Sequence, residues 1–173
     1  MALLDPTIPA ALVTGVLALT PGPSAAQLTR TVAASSASTA TAVDEVAIRR
    51  CANVERGRRG LPALKADPSL SRAARLQAKG MAKRGYTGHR DPQGRGPAER
   101  VSRYTHRYQG VGENLAWGWP TGADACATWL ASAPHRRNLL DRRFTHIGTG
   151  VAAGGRWGRY YVQVFGIQRA IAR

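Results

Sequence analysis

At 173 residues and 43% hydrophobic, the chain has material for one compact domain with a sizeable core plus a tail. Its formal charge is +15, from 25 basic residues (22 of them arginine) against 10 acidic ones. Such a charge favours anionic partners (nucleic acid, acidic lipid or acidic wall polymer), the plainer alternative being arginines spread over solvated faces.

The charge is unevenly placed. Residues 1–42 contain only Asp5 and Arg30, so the whole excess lies in 43–173. Ile8 to Thr20 is an apolar run of signal-peptide h-region length, too short for a comfortable membrane span. Pro21-Gly22-Pro23 follows it, and the small residues Ser24 and Ala26 fit a signal-peptidase site before Gln27. Residues 1–26 are thus expected to be a signal peptide, giving a secreted or envelope-located mature form with no transmembrane span. The alternative is an apolar arm packed on the domain. Residues 27–42, small and rich in Ser, Thr and Ala without periodicity, are expected to form a flexible linker before a domain at 43–169.

Val43 to Arg59 is expected to be helical, with Val43, Ala47, Cys51 and Val54 as its inward stripe and Gly60 as its stop. Asp67-Pro68 opens a second helix as N-cap and first helical residue, with Leu70, Ala73, Ala74 and Met81 inward and Gly85 at its end. Tyr86 to Gly96 is a loop carrying His89, and a short helix follows from Pro97 to about Tyr104. Gly112-Glu113-Asn114 is expected to be a turn within Tyr108–Pro120. Thr121 and Asp124 approximate a capping box, opening a helix that buries Cys126, Trp129, Leu130 and Ala133. Pro134 begins the His135 segment. His146–Ala153 and Arg159–Ile167, separated by Gly154-Gly155, have the composition of a β-hairpin. Helices early and strands late imply an α+β domain with helices packed on a small antiparallel sheet.

The cysteines, Cys51 and Cys126, form an even count in an oxidising compartment, favouring a disulfide over two buried thiols. Such a bridge closes a loop of about 75 residues, worth on the order of 4–5 kcal/mol in the chain-entropy model. Three further residues carry the chemistry. His89 sits on a polar loop. Glu113 lies beside Leu115, Ala116 and Trp117, where a carboxylate is either paired or raised in pKa. His135 lies at a helix start, where the neutral imidazole is favoured and can ligate a metal. Together His89, Glu113 and His135 are a candidate site for a divalent cation such as zinc. Arg136 and Asn138 are candidate anchoring groups beside His135. Ser132, three residues before His135, is a candidate nucleophile with His135 as its base and Glu113 as a further catalytic candidate. His106 and His146 are assigned no role. The sequence has no Gly-rich phosphate loop, no HExxH, no GxSxG and no zinc-finger spacing.

In order, the motifs Asn53-Val54-Glu55-Arg56, Gly60-Leu61-Pro62-Ala63-Leu64, Asp67-Pro68-Ser69-Leu70, His89 with Pro92 and Gly94, Arg100, Gly112-Glu113-Asn114-Leu115-Ala116, Trp129, His135-Arg136 with Asn138, Phe144, Ile147-Gly148-Thr149-Gly150 and Gln163-Val164-Phe165-Gly166 resemble the CAP superfamily. That superfamily comprises the cysteine-rich secretory proteins, insect venom antigens and plant pathogenesis-related class 1 proteins. The bacterial branch of SCP-like extracellular proteins is the one the chain resembles. The resemblance spans about residues 45–167. It implies a three-layer α-β-α sandwich whose cleft carries two histidines and two acids able to bind a divalent cation. His89 and Glu113 match two of these four positions, and His135 matches the histidine of the bacterial pattern. Ser132 stands where eukaryotic members have the second acid, three residues after Trp129. Tyr160 stands where they carry a further histidine.

The functional expectation is a secreted binding module: a His/Glu-lined cleft for a divalent cation or small apolar ligand, and a basic surface for anionic envelope or wall polymers or lipids. The first alternative is a secreted hydrolase of peptide or ester bonds using the same cleft. The second is a basic nucleic-acid binder, which export and the lack of a recognised module both oppose.

Overall fold

A computed structural model describes residues 24–169, with the side chains of residues 28 and 34 left out. The apolar run at 8–20, with most of the expected signal peptide, lies outside the described residues. Among the described residues nine elements occur, in the order α1 (Ala25–Gly57), β1 (Lys65–Ala66), α2 (Pro68–Arg84), α3 (Pro97–Ser102), β2 (Tyr108–Trp117), α4 (Gly122–Ala131), α5 (Ala133–Leu140), β3 (His146–Ala153) and β4 (Arg159–Gln168). The strands form one sheet in the order β1-β3-β4-β2. β3–β4 and β4–β2 are antiparallel, and the two-residue β1 lies parallel to β3.

The sheet is covered on both faces, and its strands alternate accordingly. Tyr161 and Phe165 of β4, with Ile147 and Val151 of β3, join Ile48 and Ala52 of α1, Cys126 and Trp129 of α4 and Leu139 of α5 in one core. Tyr160, Val162 and Val164 of β4, with Leu115 of β2, join Leu70, Ala74, Ala78 and Met81 of α2 and Val101 of α3 in the other. This is the α-β-α sandwich expected. α2 comes so close to β3 that a β-carbon on Gly148 or Gly150 would stand 2.1 Å and 2.3 Å from α2 backbone atoms. No side chain fits at either position.

The N-caps are as the sequence implies. Asp67 accepts from the Leu70 amide at 2.8 Å, and Thr121 and Asp124 form a reciprocal capping box. Gly85 ends α2 in the left-handed region at φ 72°.

Three expectations need correcting. First, 27–42 is helical and continuous with α1, although exposed along most of its length. Ser24 and Gln27 form a capping box, and hydroxyls such as Thr29, Thr31 and Thr39 donate back to carbonyls four residues earlier, at 2.9–3.0 Å. An Ala-rich segment whose hydroxyls are satisfied locally meets the requirements of a helix. Second, the buried face of α1 is not Val43-Ala47-Cys51-Val54. Val43 and Val54 are 63% and 44% exposed, while Asp44, Glu45, Ile48, Ala52 and Arg56 face inward. Each charged member of that face has partners. Asp44 accepts from the Gly122 amide at 2.7 Å and pairs with Arg159. Glu45 pairs with Arg75 and accepts from the Val151 amide. Arg56 donates to the carbonyls of Pro62, Leu139, Asp141 and Phe144. Hydrophobicity alone selects the wrong face because three buried positions are ionic. Third, Gly112-Glu113-Asn114 is no turn: it lies in the middle of β2, paired with Phe165, Val164 and Gln163.

Candidate functional site

β2 is the edge strand on its side of the sheet, and the site is built around that edge. Successive residues point to opposite layers. Glu113 faces the α2–α3 layer, and Asn114 faces the layer of α1, α4 and α5. The outward carbonyls of the edge are capped by side chains. Asn138 donates to the Glu113 carbonyl at 3.2 Å, and Trp129 Nε1 donates to the Leu115 carbonyl at 2.9 Å. Both caps occupy acceptors that an exposed edge would offer to another strand.

Glu113 is buried, and both its oxygens are engaged. Arg100 of α3 donates to Oε2 at 2.5 Å, with both side chains only 1% exposed. His89 Nδ1 lies 2.9 Å from Oε1. A carboxylate only accepts, so Nδ1 carries the proton and Nε2 is directed away from the carboxylate. The loop bearing His89 is itself tied down. Arg100 also donates to the carbonyls of His89 (2.8 Å) and Arg95 (2.7 Å), and Gln77 donates to the Gly88 carbonyl at 2.7 Å. Asp91 stitches the rest of the loop, accepting from the amides of Gln93 and Arg95 at 3.0 Å.

His135 reaches the site from the opposite layer, on the first turn of α5. Its Nδ1 is 2.8 Å from Ser132 Oγ. Asn114, fully buried, donates to the His135 carbonyl at 3.1 Å and to Gln163 Oε1 at 3.3 Å, and Asn138 donates to Asn114 Oδ1 at 2.9 Å. Gln163 continues the network to the Ile48 carbonyl of α1 at 3.0 Å. Gly112 permits this close packing, since a β-carbon there would lie 2.7 Å from the Phe144 ring.

The two imidazoles differ electrically. His89 is raised above the usual histidine value, first by its bond to Glu113 and against the opposing effect of burial. His135 is lowered, first by burial and then by the positive charge of His89. The arrangement thus pairs a readily protonated imidazole with a reluctant one across the edge of β2. Among the described residues, no three His, Cys, Asp or Glu side chains are gathered as a ready-made metal cage. The donors suited to a cation are the two imidazole Nε2 atoms, each with its Nδ1 anchored, the arrangement that outer-shell partners impose on metal-binding histidines.

The structure brings Glu113 and His89 into contact and sets His135 against Ser132. His106 is exposed, and His146 bonds its neighbour Thr145. Arg100 is visible in the sequence only as one motif residue, and its buried role at the centre of the site carries no separate signal in a chain with 22 arginines. Cys51 and Cys126 are bonded, joining α1 to α4 across 75 residues.

Residues 50–165 match the CAP family model, described as the cysteine-rich secretory protein family. The uncharacterized protein YkwD of Bacillus subtilis is 32% identical over 141 residues, covering 81% of this chain and 54% of that protein. The uncharacterized membrane protein YlbC of the same organism is 31% identical over 113 residues, covering 65% of this chain and 31% of its own length. The chain therefore spans about half or less of the curated relatives it matches. Among solved structures, an extracellular protein containing a SCP domain from Bacillus anthracis is 31% identical with a TM-score of 0.69, over 75% of this chain and 41% of that one. An outer surface protein of Borrelia burgdorferi is 21% identical with a TM-score of 0.68, over 73% and 93%, which is a likeness of fold. With the ordered motifs and the sandwich in agreement, this chain belongs to the cysteine-rich secretory protein family.

Proposed function

We propose that this protein is an extracellular binding module whose cleft at the edge of β2 takes a divalent cation or small ligand between His89 and His135, and whose basic surface engages anionic envelope material. One observation carries the binding reading. Both oxygens of Glu113 are committed, to Arg100 and to His89. Such a carboxylate orients an imidazole and is poorly placed to abstract or deliver a proton. The two anchored histidines supply borderline nitrogen donors of the kind that suit zinc. The extracellular location is supported by the likeness to the Bacillus anthracis protein, itself an extracellular one. Among the described residues, no helix is long and apolar enough to cross a membrane.

Calorimetric titration with zinc tests the cleft. Heat is expected with the unaltered chain and none with His89→Ala or His135→Ala. Glu113→Gln should weaken binding by about ten- to a hundredfold without abolishing it, as removal of an outer-shell partner does. Undiminished heat in His89→Ala refutes the cleft reading.

Hydrolysis is the second reading, favoured by the 2.8 Å contact between Ser132 and His135. It requires that Ser132→Ala and Glu113→Gln each abolish turnover on a panel of peptides and esters. Turnover indifferent to both changes removes it.

A further inference from the structure

Trp119 and Trp157 remain 40% and 43% exposed. They lie on neighbouring loops at one end of the sheet, Trp119 just after β2 and Trp157 in the β3–β4 hairpin. The Gly118 amide donates to the Arg159 carbonyl at 3.0 Å, which joins the two loops, and a β-carbon on Gly118 would lie 3.8 Å from the Trp157 ring. Both loops are pinned by buried tyrosines. Tyr160 and Tyr161 are consecutive on β4, point to opposite layers and are each 0% exposed. The Tyr160 hydroxyl accepts from the Trp157 amide at 3.3 Å, and the Tyr161 hydroxyl donates to the Trp119 carbonyl at 2.9 Å. The hairpin is closed further by the Gly154 amide on the Gly158 carbonyl, at 2.7 Å. Two indoles are thus presented from backbone that is fixed in place, so contact with a partner orders little that is not already ordered.

The surroundings are cationic. The Arg156 guanidinium stands 5.0 Å over the Trp157 ring. Beside the hairpin is an open depression of about 390 Å³ lined by Lys79, Ala82, Lys83, Ala152, Ala153 and Gly155. Lys79 and Lys83 are one turn apart on α2 and exposed, and neither has a hydrogen-bond or ion-pair partner among the described residues. Of the acids packed nearby, Asp44 and Glu45 are paired with Arg159 and Arg75, and Asp124 is engaged by the Thr121 amide and hydroxyl. An indole beside Arg156, with two unpaired lysines in a depression lined by Gly155 of the same hairpin, suits a ligand that alternates flat C–H faces with negative groups.

We infer that the Trp119–Trp157 end of the sheet is a binding surface for an acidic polysaccharide. Sugar rings stack on the indoles, and carboxylate or phosphate groups reach Lys79, Lys83 and Arg156. The inference rests on the reading of the basic surface as one for anionic envelope material, and it names the ligand class and the place. It is separate from the histidine cleft: Trp117 lies four residues beyond Glu113 along β2, about 13 Å at the usual strand rise.

The test is affinity electrophoresis of the full chain at low salt in four gels, containing polygalacturonate, neutral dextran, polyphosphate or oligodeoxythymidylate. Retardation is expected in polygalacturonate and not in dextran. Trp119→Ala and Trp157→Ala should each weaken polygalacturonate binding by about tenfold, as loss of an aromatic anchor does. Lys79→Glu with Lys83→Glu should weaken it further. Trp119→Phe and Trp157→Phe keep an aromatic ring and should retain most of the binding, which controls for misfolding. Polyphosphate bound as tightly as polygalacturonate, with the tryptophan variants indifferent, overturns the aromatic surface and leaves only a charge effect. Oligodeoxythymidylate bound more tightly, with the same tryptophan dependence, replaces the polysaccharide with single-stranded nucleic acid. Retardation by none of the polyanions overturns both this surface and the anionic-envelope reading.

Discussion

Arg100→Met isolates the ion pair at the centre of the site. Met approximates the length of the arginine stem and removes the charge and every donor. Three bonds disappear: to Glu113 Oε2 at 2.5 Å, to the His89 carbonyl at 2.8 Å and to the Arg95 carbonyl at 2.7 Å. With a typical ~4 Å between charge centres and an effective dielectric of about 20, the lost attraction is worth roughly 4 kcal/mol. Removing one partner of a buried pair generally costs about 3–5 kcal/mol, because the other charge stays buried and uncompensated. Here His89 remains beside Glu113, so the lower part of that range is expected, about 3 kcal/mol. The assay is equilibrium urea unfolding followed by tryptophan fluorescence at pH 7, on Arg100→Met, Glu113→Gln and the double variant. The double variant should lose less than the sum of the single losses, since it leaves no orphaned charge. A loss below about 1 kcal/mol in Arg100→Met, the scale of a surface pair, refutes the claim that this pair organises the site.

Reducing Cys51–Cys126, or replacing both by serine, should lower stability by up to about 4–5 kcal/mol, a fall of roughly 10–15 °C in Tm by calorimetry; an unchanged Tm would show that packing of α1 on α4 suffices. Gly150→Ala should unfold the domain or cost on the order of 4 kcal/mol, because the clash is with α2 backbone; a folded variant of normal stability contradicts the described packing. The two histidines should give opposite pH dependences. His89 is raised in the folded state, so its contribution is fully present below its unfolded pKa and is lost as pH rises through the folded value. His135 is lowered, so its contribution is present above the unfolded value and is lost as pH falls toward the folded one. Relative to the unaltered chain, His89→Gln should therefore lose most stability in mild acid, and His135→Gln should become comparatively more stable there, as read from urea midpoints between pH 5 and 8. Parallel profiles for the two variants would contradict the assigned shifts.

Much of this architecture is legible in the chain because its signals are local. Asp67-Pro68, Thr121 with Asp124, and Gly85 mark helix ends by chemistry that operates within one turn. The hairpin follows from β-rich segments flanking Gly154-Gly155. His89, Glu113 and His135 stand out because so few histidines and acids are available among so many arginines. What the sequence conceals depends on partners distant in the chain. Asp44 and Arg159 lie 115 residues apart, and their pairing turns what reads as the polar face of α1 into its buried face. Glu113 reads as a turn residue because Gly112 and Asn114 flank it, yet Gly112 is there to admit Phe144 against a strand. Arg100 is indistinguishable in composition from its exposed neighbour Arg103, and only the burial of Glu113 separates them.

These concealed residues explain how a site can be held at the edge of a sheet. An edge strand has one free side, and side chains mounted there lack the support of a second neighbouring strand. In this chain the support comes from polar groups of both covering layers. Arg100 fixes the Glu113 carboxylate from the α3 side, while Asn138 and Asn114 fix the backbone and α5 from the other. Arg100 and Asn114 are buried and Asn138 half-buried, and each is hydrogen-bonded to a specific partner, so displacing one exposes an unsatisfied partner in a region of low dielectric. The cost of disorder at this edge of the sheet is therefore carried by the fold itself. Two histidines from opposite layers can then be held across one strand, although no loop connects them directly.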